Sequence, residues 1–155
     1  MSPITVHASQ LIRRGSQEIF DAFVDPRTLC QFWLDATSGP LAPDAEVEWR
    51  FKVPGVTDRV KVTQFERPRR LGFRFSDGME VDVTFEFLGG DATRVGVACS
   101  GLPEGDLLSA ATDNVEGFSI VLCDLKSLLE TGRSANLVRD KAELITRQMA
   151  QAGGG

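Results

Sequence analysis

Few side chains in this 155-residue chain are suited to covalent or metal chemistry. His7 is the only histidine. It falls in a stretch that alternates like a β-strand, at an outward position. No serine–histidine–aspartate set can be assembled around it from spacing, and no G-x-S-x-G elbow occurs. The three cysteines, Cys30, Cys99 and Cys123, are odd in number and share no C-x-x-C spacing. They read as small, buried, reduced residues rather than a disulfide framework or a metal cage. No phosphate-binding loop and no dinucleotide fingerprint is present. The expectation is therefore no catalytic set, no metal and no cofactor.

Other groups offer binding rather than catalysis. The indole N–H groups of Trp33 and Trp49 can orient a polar ligand atom, although ordinary core packing explains both residues as well. Arg50, Arg74, Glu80 and Asp82 sit opposite the apolar face of their strands. A one-residue slip of register would turn one of them inward, where it would be a functional candidate. Asn114 and Glu116 flank an apolar stripe on a long helix. Gly117 lies inside that helix, where glycine costs about 1 kcal/mol relative to alanine. Either close packing against a sheet or clearance for a ligand accounts for it.

The formal net charge of −5 argues against a nucleic-acid surface, which needs concentrated positive charge. The one basic run, Arg67-Pro68-Arg69-Arg70, reads as a solvated turn. With 42% hydrophobic and 25% charged residues, the chain has the composition of a globular domain. No apolar run reaches the roughly 18–20 residues that span a bilayer. The N-terminal residues pass directly into an alternating pattern, so no secretory leader is expected. A cytoplasmic protein with no membrane insertion is the expectation, folded as one domain over 1–150 with a disordered tail over 151–155.

The elements that must position these residues follow from periodicity. Residues 4–12 alternate with period two, as a half-covered strand does. Gly15 ends it, and Ser16 is placed to cap a short helix carrying Ile19, Phe20 and Phe23. Asp25-Pro26 ends that helix, and a second runs from about Arg27 to Leu34. Loops follow. Five further strands are centred on Trp49, Val60, Phe73, Val83 and Val97, joined by turns at Pro54-Gly55, Asp77-Gly78 and Gly89-Gly90. After a break at 101–105, Leu108, Ala111, Val115, Phe118, Leu122, Leu125 and Leu129 recur at helical spacing. Asp106 and Gly132 are the expected caps. A final helix shows Val138, Ala142, Ile145 and Met149 on one face.

Strands, short helices, more strands and then a long helix define an α+β chain of about six antiparallel strands. The arrangement resembles the helix-grip fold of the START-like (SRPBCC), birch-pollen-allergen-like superfamily. Within it, the chain resembles the family named after the activator of the heat-shock protein 90 ATPase. The match is carried by Ile19-Phe20-Asp21-Ala22-Phe23-Val24-Asp25-Pro26, by Leu29 and Phe32-Trp33, and by the helix from Gly117 to Glu130. The resemblance implies a hydrophobic cavity between sheet and long helix, and it implies no shared catalytic residues. Lipids and other apolar small molecules are common ligands of such folds, and some members resemble polyketide cyclases.

On this reading the cavity is lined by Trp33, Trp49, Phe51, Val60, Val62, Phe73, Phe75, Val81, Val83, Phe85 and Val97. The long helix adds Ala111, Asn114, Val115, Phe118 and Leu122. Binding of an apolar or amphipathic small molecule is the leading expectation. A cyclase- or hydrolase-like enzyme in the same cavity is a second. A chaperone-regulating or other protein-interaction module, including a homodimer, is a third. The charged outer sheet face disfavours a large hydrophobic interface there, which leaves the final helix as the better contact.

Overall fold

The computed structural model describes residues 4–103 and 105–153. In chain order the elements are β1 (Val6–Ile12), α1 (Ser16–Val24), α2 (Pro26–Phe32), β2 (Leu34–Thr37), β3 (Glu46–Phe51) and β4 (Thr57–Glu66). There follow β5 (Arg70–Phe75), β6 (Glu80–Gly89), β7 (Ala92–Ser100), α3 (Leu107–Thr131) and α4 (Leu137–Gly153). The strands form one antiparallel sheet of seven, in the order β1-β7-β6-β5-β4-β3-β2. This is the helix-grip architecture, with one strand more than the six expected. The addition is β2, a four-residue edge strand that sequence reading divides between the end of a helix and a loop.

The order explains the short helices. β1 and β2 lie at opposite edges of the sheet although only α1 and α2 separate them in sequence. The two helices therefore cross one end of the bowl. Asp25 makes the joint between them, because its Oδ1 accepts from the Arg27 backbone N–H at 2.9 Å. Pro26 occupies the first helical position, where the missing donor is harmless. Ser16 does not cap α1. It lies inside the helix, Gly15 holds the cap position, and no side chain bonds there.

Period-two patterning places the sheet faces as expected. Val47, Trp49, Val60, Val62, Phe73, Val81, Val83, Val95 and Val97 are buried. Arg50, Arg74 and Glu80 are exposed, and Asp82 is half-exposed, all on the outer face. Here Arg70 pairs with Asp82 at 2.6 Å, Arg74 with Glu80 at 3.2 Å and Arg59 with Glu46 at 3.4 Å. The β4 bulge between Val62 and Gln64 does not bring a charge inward. His7 is exposed, as its outward position predicts. The thiols depart from expectation: Cys99 is buried, Cys30 is partly covered and Cys123 is exposed. Cys123 lies on the flank of α3, where the Gln10 side-chain amide donates to its sulfur at 3.4 Å.

α3 is capped as its sequence indicates. Asp106 accepts from the Ser109 N–H at 3.1 Å, and Gly132 adopts φ 80°. Its apolar stripe is only half used. Phe118, Val121, Leu122, Leu125 and Leu128 are buried, whereas Leu108 is 79% exposed. The N-terminal part of the rod runs past the sheet.

α4 folds back along α3. Its anchor is Asp124, only 1% exposed. That carboxylate accepts from Ser134 Oγ at 2.6 Å, from the Ala135 N–H at 3.1 Å and from the Val138 N–H at 3.3 Å. A buried carboxylate needs such donors, and the free amides at a helix start need an acceptor. Farther along, Lys141 pairs with Glu116 at 2.6 Å. The helix continues to Gly153, so residues 151–153 are helical rather than the expected disordered tail. The last two residues lie outside the described part.

Two predictions follow from these contacts. A Cβ at Gly101, whose φ is +70°, would sit 2.8 Å from the Gly78 carbonyl oxygen. Gly101→Ala should lower unfolding free energy in urea by at least about 1–2 kcal/mol, the usual penalty of left-handed backbone for an L-residue. Asp124→Ala should cost about 2–3 kcal/mol, in the range for hydrogen bonds to a buried charge. Amide exchange should then accelerate over 134–150 while the central strands stay protected.

Candidate functional site

A curved sheet meets a straight helix along one line, so space remains on either side. At the end crossed by α1 and α2 that space is filled. Phe20 and Phe23 reach Phe85 with ring centroids 5.2 and 5.7 Å apart, and Phe23 also meets Phe32 at 5.6 Å. Trp49 stacks edge-on against Trp33 at 4.9 Å and Phe73 at 5.3 Å. These rings pack at ordinary aromatic distances and leave no room for a ligand.

At the other end a pocket of about 360 Å³ opens to solvent. That is within the size range of small-molecule sites, about 300–1,000 Å³. One wall is made by the tips of two hairpins. Phe51, Lys52, Val53 and Asp58 come from the β3–β4 connection, and Phe75, Asp77 and Met79 from the β5–β6 turn. Trp33, at the C-terminal cap of α2, forms the floor with Phe118 of α3, their rings 5.7 Å apart. The middle of α3 adds Asp113, Asn114, Gly117, Ile120 and Val121. α4 supplies the remaining wall with Val138, Lys141, Ala142 and Ile145.

Of the residues expected to line a cavity, Trp33, Phe51, Phe75, Asn114 and Phe118 face this pocket. Trp49, Val60, Val62, Phe73, Val81, Val83, Phe85 and Leu122 do not; they are buried in the continuous core. Val97 and Val115 border a small crevice between β1, β7 and α3 that has no space for a water molecule. Ala111 is half-exposed and borders neither. The reason is the aromatic plug from α1 and α2, which converts most of the expected lining into core. The pocket residues that sequence reading does not assign lie on hairpin tips, on α4 and, as Asp113, Ile120 and Val121, on α3. For α4 a signal exists, since Val138, Ala142 and Ile145 form its apolar face.

Gly117 has a clear setting. A Cβ there would meet nothing within 4 Å, so close packing of helix on sheet is not the reason for glycine. Its missing side chain is open space on the pocket side. Asn114 donates through Nδ2 to Met79 Sδ at 3.3 Å, which ties the middle of α3 to the β5–β6 turn. Glu116 is exposed and held by Lys141.

Among the described residues, no histidine or cysteine lines this pocket, and no group of metal-binding side chains occurs. Burial pushes the Cys99 thiol up to about 12. Burial also raises Cys30, opposed by the nearby Lys52 ammonium. Neither is a poised thiolate. A shallower depression of about 460 Å³ lies over Gln17, Asp21, Asp25 and Leu129; it lacks the aromatic walls of the first. No described helix is long and apolar enough to cross a membrane.

The chain can now be set beside known proteins. The family model described as Activator of Hsp90 ATPase homolog 1-like protein matches residues 16–130. No curated protein matches. Among solved structures, protein SSP2350 from Staphylococcus saprophyticus superimposes with a TM-score of 0.75 at 19% identity, over 84% of this chain and 95% of that one. The Aha1 dimer from Colwellia psychrerythraea gives 0.74 at 19% identity, over 84% and 99%. At these identities both establish the fold alone. DynU16, a protein of the dynemicin biosynthetic locus, gives 0.73 at 26% identity over 84% of this chain but 48% of its own. This chain thus spans about half of DynU16. The family match ends before α4, so one wall of the pocket is built by residues outside it. From Ser16 to Glu130, the chain belongs to the family of Activator of Hsp90 ATPase homolog 1-like proteins.

Proposed function

We propose that this protein binds a small, largely apolar molecule in the pocket between the two hairpin tips, the middle of α3 and α4. The observation that carries the reading is Gly117. A glycine in the interior of a 25-residue helix is a standing loss of stability, about 0.8–1 kcal/mol against alanine. No neighbour requires it. Its effect is to keep one side of the pocket clear beside aromatic walls. Residues 4–150 act as one unit in this reading. The unpaired thiols fit a reducing, cytoplasmic setting.

An enzyme in the same pocket is less well supported. The ionisable groups facing it are carboxylates and lysines at its rim, and none is paired with a second group in a catalytic geometry. A protein-interaction role draws on the family's name and on the dimeric Aha1 relative. The exposed Leu107 and Leu108 of α3 and Leu144 and Met149 of α4 favour it as a second reading, because they are large apolar residues outside the charged sheet face.

Substitutions at Gly117 separate a binding role from a structural one. With the neutral probe N-phenyl-1-naphthylamine, the wild-type protein should show saturable fluorescence enhancement. Gly117→Ala should raise stability by about 0.5–1 kcal/mol and leave probe affinity within about two-fold. Gly117→Leu should remain folded and weaken the probe at least ten-fold by filling the space. Equal probe binding by wild type and Gly117→Leu would contradict the reading.

A further inference from the structure

We infer that the occupant of this pocket is a lipophilic organic cation, an amine or quaternary ammonium on an apolar body, rather than a fatty acid or other anion. The inference rests on the pocket being a ligand site and adds the sign of the ligand's charge. Five ionisable side chains line it: Lys52, Lys141, Asp58, Asp77 and Asp113. Both lysines are already engaged. Lys141 is bound to Glu116 at 2.6 Å. The Lys52 ammonium lies 3.5 Å from the Cys30 carbonyl oxygen, in the last turn of α2, where the unpaired carbonyls at a helix end attract a cation.

Of the two lysines only Lys141 has a carboxylate partner, and none of the three carboxylates has a cationic one. Asp58 Oδ1 accepts only from the backbone N–H groups of Arg59 and Ser76, at 2.8 and 3.2 Å. Asp77 Oδ1 accepts from the Met79 N–H at 2.9 Å. Among the described residues, no lysine or arginine lies within ion-pair distance of Asp58, Asp77 or Asp113. Three carboxylates without a cationic partner thus outnumber the one ammonium, Lys52, without a carboxylate partner, and the lining is net negative beside Trp33, Phe51, Phe75 and Phe118. Aromatic rings attract cations through their quadrupole, by about 0.5–2 kcal/mol per contact depending on solvent exclusion. Rings and rim therefore select the same sign. An anion entering here would meet one ammonium without a carboxylate partner, Lys52, against three carboxylates, and the net like-charge repulsion costs affinity.

A matched ligand series tests this with the full chain. 4-Phenylbutylamine, 4-phenylbutanol and 4-phenylbutyrate share one apolar body and differ in charge. By calorimetry at low salt, the amine should bind at least five-fold more tightly than the carboxylate, with the alcohol between them. Raising the salt to 0.5 M should shrink that ratio. The double variant Asp77→Asn, Asp113→Asn should reduce the ratio to below two-fold. A carboxylate that binds as tightly as the amine, beside an alcohol that binds, would overturn the charge assignment and leave the pocket reading standing. Failure of all three to bind would overturn both.

Discussion

A coiled sheet and a straight helix cannot touch everywhere, and this structure is organised by what occupies the two regions they leave. One region is closed by chain connectivity. β1 and β2 sit at opposite edges of a seven-stranded sheet, so the link between them must cross an end of the bowl, and it does so as two helices that carry Phe20, Phe23 and Phe32 inward. Their rings meet Phe85 and one another at ordinary contact distances and make that end solid. The opposite region has no such link. It is bounded by hairpin tips, by the middle of α3 and by a helix that returns from the C-terminus.

That asymmetry explains how much of the molecule could be read from its sequence. Strand faces were legible over most of β6, with Val81, Val83 and Phe85 inside and Glu80 and Glu86 exposed, but Phe87, next in the alternation and expected inward, is exposed where the strand runs beyond the core. The caps of α3 were legible because Asp106 and Gly132 are chemically suited to the two ends of a helix. β2 was not, since four residues carry too little periodicity to distinguish an edge strand from a loop. The location of the pocket was only half legible. Phe51, Phe75 and Phe118 announce themselves as inward aromatics, but so do Phe73 and Phe85. Nothing in the sequence of a strand says which of its inward rings will be met by other rings, as Phe85 is by Phe20 and Phe23 of α1 and Phe73 is by Trp33 and Trp49. Asp124 illustrates the same limit. It breaks the apolar run of α3 and looks exposed, and only the return of Ser134, Ala135 and Val138 makes it a buried acceptor.

α4 stands outside the part of the chain that matches the family, yet it supplies a wall of the site. It is held by the buried Asp124 carboxylate, one ion pair, Ala142 as its single fully buried apolar residue and Val138 packed partly buried against the core. With one fully buried apolar residue, α4 is expected to open before the sheet in native-state hydrogen exchange. The pocket is thereby assembled from a rigid half, the hairpin tips and α3, and a half whose position depends on Asp124. The glycine at 117 belongs to the rigid half, and its open flank is preserved whether or not α4 is fully docked.

On the proposed reading a ligand enters only the open end and leaves the aromatic interior untouched. Methyl-resolved NMR during titration with an apolar ligand tests this directly. Shift changes should be confined to the pocket methyls of Val53, Met79, Ile120, Val121, Val138, Ala142 and Ile145, with Val62, Val83, Val97 and Leu122 unmoved. Large changes at Val83 and Val97, with Met79 and Ile145 silent, would place the ligand inside the grip and contradict the account.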